Sequence, residues 1–102
     1  MTLRAVAAAP HANKQLQLWA VSETKMFTCW KLTTQPNSNW TDWVEFNKPP
    51  GNVQTVTTGM LSDGRPQLWA LTDQGLFSCW PLTGEPGSDW GNWGGFPKPH
   101  GN

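Results

Sequence analysis

The chain has 102 residues and a balanced charge, with seven Lys and Arg against seven Asp and Glu. A nucleic-acid-binding protein ordinarily carries a basic face, so this balance disfavours that class, and no apolar run is long enough to cross a membrane or to form a classical signal peptide. Eight Trp, four Phe and no Tyr, with ten Gly and nine Pro, favour one small soluble domain of short strands and turns over a helical bundle.

Four short strands are predicted in the first half of the chain, at residues 3–9, 16–22, 26–32 and 43–46. The first contains mainly small residues, whereas the second and third lack a clean alternation of apolar and polar positions. Loss of that alternation is typical of strands that are covered on both faces. The first half therefore predicts an antiparallel sheet with a first strand where space is tightest and middle strands that are buried.

The second half predicts the same arrangement, with strands at residues 53–61, 67–72, 76–82 and 93–96. Trp90, Trp93 and Phe96 are spaced by three, which could instead mark one face of a helix. Three Gly lie between or beside them, and each would cost a helix roughly 1 kcal/mol. We therefore predict a loop Trp followed by an irregular outer strand.

The two halves are an internal repeat. A shift of 50 positions aligns residues 17–52 with 67–102 without a gap and gives 18 identities in 36 positions. Units of four antiparallel strands with a period of about 50 residues are typical of β-propeller blades. We predict an all-β chain with one blade at 1–52 and a second at 53–102. All eight Trp fall on repeated positions: Trp19 and Trp69, Trp30 and Trp80, Trp40 and Trp90, Trp43 and Trp93.

Two blades cannot close a ring, because propellers typically contain four to eight. Each end of a two-blade chain would leave an apolar blade face uncovered, and such a patch usually marks an interface. The prediction is a homo-oligomer that completes the propeller, with six blades as a trimer or eight as a tetramer. The alternatives are a monomeric sandwich of two sheets and a piece of a longer propeller.

The repeated strings identify a resemblance. Both units contain Gln-Leu-Trp-Ala, then Phe-x-Cys-Trp, then Pro-x-Ser-x-Trp-x-x-Trp-x-x-Phe. This pattern resembles the Photorhabdus-type β-propeller lectins, seven-bladed proteins that bind L-fucose and related sugars, including O-methylated ones. The resemblance implies sugar sites between blades, in a bacterial protein of the cytosol or one released to meet extracellular glycans. Identical two-blade copies cannot add up to seven blades, so this chain departs from the family in blade number.

Sugar recognition needs a flat apolar surface for the ring and fixed polar groups for the hydroxyls. Trp supplies the first together with an indole N–H donor, and Asn, Asp and Ser supply the second. The loops before the fourth strands combine these residue types. The predicted sugar-binding residues are Ser38, Asn39, Trp40, Asp42 and Trp43 in the first unit and Ser88, Asp89, Trp90, Asn92 and Trp93 in the second.

Catalysis and metal binding have little support in the sequence. Neither His11 nor His100 recurs in the other unit, so no repeated acid, base or nucleophile constellation is formed. Cys29 and Cys79 are images of each other in successive blades, too far apart for a disulfide, and are predicted to be buried free thiols. Their spacing with the two His matches no zinc pattern.

The sequence thus predicts a non-enzymatic, multivalent lectin for fucosylated or related glycans, with no cofactor, no metal, no nucleic-acid partner and no membrane insertion. The four central-strand residues Trp19, Trp30, Trp69 and Trp80 are predicted to be structural. The alternative function is a non-catalytic propeller scaffold for protein–protein interaction.

Overall fold

The computed structural model describes residues 2–87 and 89–97 and contains two antiparallel sheets of four strands each, with no helix among those residues. Strand order within each sheet follows the chain, so every strand pairs with the one before it. The predicted all-β, blade-like architecture is confirmed. The strands are β1 (Ala5–Pro10), β2 (Leu16–Val21), β3 (Met26–Trp30) and β4 (Val44–Phe46) in the first sheet, and β5 (Val53–Met60), β6 (Pro66–Thr72), β7 (Gly75–Cys79) and β8 (Gly94–Phe96) in the second.

The third strand of each sheet is shorter than the sequence predicted. β3 and β7 end before residues 32 and 82, because the chain there turns away into a loop. Each loop returns to make one isolated bridge beside the end of the strand, and this places a Trp next to each sheet. The bridges are Lys31–Trp40 and Pro81–Trp90.

The turns from β1 to β2 and from β5 to β6 share a backbone conformation that requires one residue at positive φ. The second turn uses Gly64 (φ 91°), whereas the first uses Lys14 (φ 76°), a residue that adopts this region only at a cost. Asn13 and Asp63 stabilise the turns, since their side chains accept a hydrogen bond from the backbone N–H two residues later, at 3.0 and 3.1 Å.

The first strands of the two sheets lie next to each other. The Thr58 hydroxyl on β5 donates a 3.0 Å hydrogen bond to the Ala8 carbonyl on β1, and the Arg4 guanidinium reaches the Val53 carbonyl at 3.3 Å. Small side chains allow this approach. The arrangement agrees with the prediction that the first strand of each unit occupies the tightest space.

Side-chain alternation gives each sheet an inner face, which contacts the other sheet, and an outer face. Trp19 and Val21 on β2 are completely buried on the inner face of the first sheet. Leu68 and Ala70 on β6 are completely buried on the inner face of the second, whereas Trp69 between them lies on the outer face. The core consists of Ala9, Trp19, Val21 and Met26 from the first sheet with Val53, Val56, Leu68, Ala70 and Cys79 from the second.

Candidate functional site in the cleft between the sheets

A cleft of about 770 Å³ lies between the two sheets at their outer strands. The first sheet contributes residues 45–48, and the second contributes Cys79, Leu82 and residues 89–93. Two of the predicted sugar-binding Trp, Trp90 and Trp93, line it. The structure therefore brings most of the second predicted segment together with a strand of the other unit.

Backbone hydrogen bonds fix the Trp90 segment against the end of β7. The Leu82 N–H donates to the Asp89 carbonyl and the Gly91 N–H donates to the Trp80 carbonyl, both at 2.9 Å. These bonds flank Trp90 and do not depend on its side chain. The indole is thus presented to the cleft by a preformed loop, as ligand sites usually require.

The Trp90 indole is a bridge between the cleft and the core. Its ring meets Trp19 and Phe46 edge to face, with centroids 5.4 and 5.3 Å apart, and meets His11 at 6.3 Å. Such T-shaped pairs are favoured by the ring quadrupoles. Trp90 is therefore held rigidly by the first sheet, and this residue has a structural role as well as a place in the candidate site.

Trp93 closes the cleft from the second sheet. Its Nε1–H donates a 2.8 Å hydrogen bond to the Asn47 carbonyl, and its ring packs edge to face on Phe46 at 6.5 Å. The indole donor of Trp93 is thus used between the sheets. Trp93 orients the cleft wall and leaves its ring surface, more than its N–H, for a ligand.

The polar side chains of the cleft lie at its rim. Asp89 and Asn92 are exposed on the second sheet, opposite the exposed Lys48 of the first. The Lys48 ammonium group donates to the Gly51 carbonyl at 2.7 Å, which restrains its side chain. An acceptor, an amide and a cation beside two indoles can bind a polyhydroxylated ring through its hydroxyls and its C–H face.

The first predicted segment lies elsewhere, on the outer side of the first sheet. Trp40 and Trp43 are 36% and 50% exposed, and Asn39 and Asp42 are exposed beside them. Trp43 lines a separate hollow of about 410 Å³. That hollow is formed with Leu3, Ala20, Phe27 and Glu45.

Ser38, one of the two predicted Ser residues, is not part of the cleft lining. The Ser38 hydroxyl accepts from the Thr33 N–H and donates to the Asn39 carbonyl, both at 2.9 Å, so it closes its own loop. Ser88 lies outside the described residues. Ser38 is thus used for local structure at the base of the loop that carries Trp40.

The central-strand Trp residues differ between the sheets. Trp19 is fully buried, and Trp30 and its image Trp80 are half-buried and 43% exposed, respectively. A Cβ added at Gly87 would lie 3.2 Å from the Trp30 indole, so the second sheet's loop covers that ring. Trp80 and Trp69 belong to the second sheet, and the described part of the chain has no further sheet beside its outer face.

The cleft also contains residues that the sequence-based prediction missed. Phe46, Asn47 and Lys48 come from the opposite sheet, and Cys79 and Leu82 lie beneath the Trp90 loop. All of these except Asn47 are identical in the other unit at a shift of 50. That identity was a usable signal, but it did not reveal that the first unit's outer strand meets the second unit's loop.

His11 begins a buried chain of hydrogen bonds behind Trp90. Its Nε2 contacts the Gln17 Oε1, the Gln17 amide donates to the Thr28 hydroxyl at 2.7 Å, and that hydroxyl donates to the Leu18 carbonyl at 2.8 Å. This order makes Nε2 the protonated nitrogen of neutral His11. Burial lowers the pKa of His11 below its ordinary value of 6.5, against the opposing effect of the Gln17 hydrogen bond.

We expect His11 to make stability pH-dependent. Because its folded pKa lies below 6.5, the unfolded chain takes up the proton first, so stability is complete above pH 6.5 and falls as the pH decreases towards the folded pKa. His11→Leu, which installs the residue found at position 61 of the second unit, should flatten this fall. Thermal melts between pH 8 and pH 5 test it, and His100→Gln is the control. An unchanged slope in His11→Leu would assign the effect to other groups.

Both Cys residues are buried free thiols, as predicted. Burial raises the pKa of Cys79 to about 12 and that of Cys29 in the same direction. A thiol with a raised pKa is a poor nucleophile at neutral pH. Cys79 thus contributes an apolar surface to the cleft.

Within residues 2–87 and 89–97, no three His, Cys, Asp or Glu side chains are grouped to hold a metal ion. The same residues contain no helix long and apolar enough to cross a membrane. Comparison with protein-family models and with curated proteins finds no match to this chain.

Proposed function

We propose that this chain is a carbohydrate-binding lectin that recognises L-fucose-type sugars, including O-methylated ones, in clefts between blades. The observation that carries the proposal is the cleft itself. It combines the rigidly held Trp90 and Trp93 rings with exposed Asp89, Asn92 and Lys48 at the rim. The proposed ligands are fucosylated or related glycans, and the resemblance described above supports the same sugar class.

The chemistry of the cleft supports a neutral deoxy sugar. The C–H face and the methyl group of a 6-deoxyhexose are apolar and can pack on an indole ring. Its hydroxyl groups can donate to the Asp89 carboxylate and accept from the Asn92 amide or the Lys48 ammonium group. The volume of about 770 Å³ accommodates a monosaccharide with its glycosidic substituent.

We also propose that copies assemble head to tail into a closed propeller, a trimer of six blades or a tetramer of eight. Support comes from the outer faces. Leu18, Ala20 and Cys29 on the outer face of the first sheet are the images of Leu68, Ala70 and Cys79 on the inner face of the second. Each outer face thus has the composition of a face that is buried elsewhere in the same chain.

The outer face of the second sheet is likewise the repeat image of a buried face, the inner face of the first sheet. Trp69 and Leu71 on the second sheet are the images of Trp19 and Val21, and Leu71 is 41% exposed. Two complementary faces at opposite ends of one chain make a head-to-tail contact, which closes into a ring when the rotation per copy permits it. Several weak sites on one ring would then give avidity.

Native mass spectrometry with methyl α-L-fucoside tests the lectin proposal and the copy number together. We expect a trimer or a tetramer that carries bound fucoside, with quenching of Trp fluorescence in solution. Methyl α-D-fucoside, which has the same mass and the opposite handedness, is the control for nonspecific attachment. Equal occupancy by both enantiomers would reject a stereospecific site.

The alternative function, a scaffold for protein partners, predicts a different result. A ring that binds no sugar and shows no fluorescence change would favour it, since the exposed Trp and Leu side chains would then serve protein contacts. A stable monomer of about 11.3 kDa would reject the proposed assembly. The lectin proposal would then depend on the cleft within one chain alone.

A further inference from the structure

We propose that His11 is a positioning residue for Trp90 and that protonation of its imidazole weakens sugar binding in the cleft. This inference rests on the proposed lectin function, because Trp90 is an indole that the cleft presents to a ligand. His11 is not among the residues that line the cleft, so it acts through Trp90.

The two ring nitrogens of His11 have different surroundings. Nε2 is paired with the Gln17 Oε1, whereas Nδ1 is buried and has no hydrogen-bond partner among the described residues. His11 is only 3% exposed, so bulk water does not reach Nδ1 in the packed state. Protonation would place a positive charge and a second N–H donor where no acceptor is available, and this costs free energy in a buried site.

The imidazole is in direct ring contact with Trp90. The two rings meet edge to face, with centroids 6.3 Å apart and planes at 88°, and the same indole meets Trp19 and Phe46. A cation can be attracted by an indole face, but burial lowers the pKa of His11, so the loss of hydration outweighs that attraction. An imidazolium gains water only where the packing against Trp90 opens. Protonation therefore loosens the ring that the cleft needs to be fixed.

The turn that His11 begins also contacts the loop that carries Trp90. The Asn13 N–H donates to the Gly84 carbonyl at 3.1 Å, and a Cβ added at Gly84 would lie 2.8 Å from the Ala12 Cβ. Gly84 belongs to the loop between β7 and Trp90. A shift of the His11 turn is thus transmitted to the loop backbone as well as to the indole.

The second unit forms the same turn without a histidine. Leu61, the image of His11, donates its N–H to the Arg65 carbonyl at 2.8 Å and accepts from the Gly64 N–H at 3.0 Å. His11 makes the corresponding two backbone hydrogen bonds, at 2.9 and 2.8 Å. The turn and the strand pairing therefore do not require an imidazole, and its presence beside Trp90 calls for another role.

The buried Gln–hydroxyl pair next to this position differs between the units. The Gln17 Nε2 lies 2.7 Å from the Thr28 hydroxyl, whereas the Gln67 Nε2 lies 3.5 Å from the Ser78 hydroxyl. The tightly hydrogen-bonded pair is in the unit that has the histidine. Neutral His11 is thus held in one tautomer and one orientation by a firm chain of hydrogen bonds.

Charged side chains occur on the segments around the His11 turn, but burial and the Gln17 hydrogen bond are what shift the pKa of His11. They are Lys14 in the turn itself, Lys31 after β3, Glu45 on β4, Asp63 and Arg65 in the turn from β5 to β6, and Glu85 and Asp89 in the loop that carries Trp90. Affinity should therefore be highest where His11 is neutral and should fall as the pH decreases through its folded pKa, which lies below 6.5.

NMR titration of the His11 ring tests the coupling directly. The chain contains two His, so their Hε1 resonances can be followed separately, and His11→Gln assigns them. We expect saturating methyl α-L-fucoside to lower the pKa of His11 and to leave the titration of His100 unchanged. The reason is reciprocity: a proton that weakens sugar binding is itself bound more weakly when the sugar is present. A His11 with a structural role alone would titrate identically with and without fucoside.

Titration calorimetry between pH 8 and pH 5 measures the same coupling from the side of the sugar. The apparent Kd of the wild type for methyl α-L-fucoside should rise by up to about tenfold for each pH unit below the folded pKa of His11, because only the neutral fraction binds well. Circular dichroism at each pH gives the folded fraction to which the affinity refers. His100→Gln should reproduce the wild-type profile.

Two substitutions at position 11 separate the donor from the charge. His11→Gln retains an amide that can donate to Gln17 and does not titrate, so its affinity at pH 8 should be within about threefold of wild type and should not fall with pH. His11→Leu removes both the donor and the ring contact. Its affinity should be lower by about 3- to 10-fold at pH 8 and should show no further fall below it.

The possible failures are distinguishable. Absence of fucoside binding at pH 8, where His11 is neutral, rejects the lectin function and this inference with it. Binding at pH 8 with the same pH profile in wild type and His11→Gln rejects the role of His11 alone, and assigns the pH dependence to cleft residues such as Glu45, Lys48 and Asp89. A pKa of His11 that does not respond to bound fucoside has the same meaning for His11.

Discussion

Trp19→Ala should lower the free energy of unfolding by about 3–5 kcal/mol, the usual loss for a buried Trp replaced by Ala. Trp19 is fully buried and meets Phe46 and Trp90 edge to face, so the deletion leaves a cavity between the two sheets. Urea denaturation followed by circular dichroism measures the change.

The internal repeat supplies a matched control for that measurement. Trp69→Ala removes the same side chain from the same strand position of the second sheet, where Phe96 is its one aromatic ring contact among the described residues. Its cost in a single copy should be smaller, about 1–2 kcal/mol. If copies assemble, the cost of Trp69→Ala should grow with protein concentration while that of Trp19→Ala stays constant. Equal costs at every concentration would contradict the difference in burial.

Trp90→Ala should weaken binding of methyl α-L-fucoside by about 10- to 70-fold, as expected when roughly 60–100 Å² of apolar contact is lost at about 25 cal/mol per Å². The structure adds a cost, because Trp90 also packs on Trp19 and Phe46. The binding measurement must therefore be made on the fraction that remains folded.

Trp90→Phe separates the two roles. A phenyl ring can retain the edge-to-face contacts with Trp19 and Phe46 but has no N–H and a smaller face. We expect stability close to wild type and affinity lower by only about 3- to 10-fold. Titration calorimetry on both variants, with thermal melts as the folding control, distinguishes the roles. Wild-type affinity in both would remove Trp90 from the sugar site.

The repeat made most of the fold predictable. Each unit's four strands follow from the turn residues and from the loss of alternation in the central strands, and seven of the eight predicted strands both start and end within two residues of the observed bounds. The ends of β3 and β7 were harder to predict from the sequence. The residues beyond them are as apolar as a strand, and only the returning loop, a contact distant in sequence, stops the ladder there.

The candidate site was predictable in part. The residues Asp89, Trp90, Asn92 and Trp93 do line one cleft, as their combination of indoles and polar groups suggested. Asn39, Trp40, Asp42 and Trp43 have the same pattern, yet they lie on the outer side of the first sheet. Repeated residues have the same place in each unit but not the same neighbours, so a pattern within one unit cannot say which face is covered.

One close contact distinguishes the junction within the chain from a junction between copies. A Cβ added at Gly84 would lie 2.8 Å from the Ala12 Cβ, so the loop of the second sheet fits the turn of the first only because Gly stands there. The image of Gly84 is Thr34. In a head-to-tail ring, Thr34 of one copy would face Ser62, the image of Ala12, in the next copy, and both residues carry a Cβ. The junction between copies must therefore be wider at this point than the contact within the chain, where the glycine allows the loop and the turn to touch.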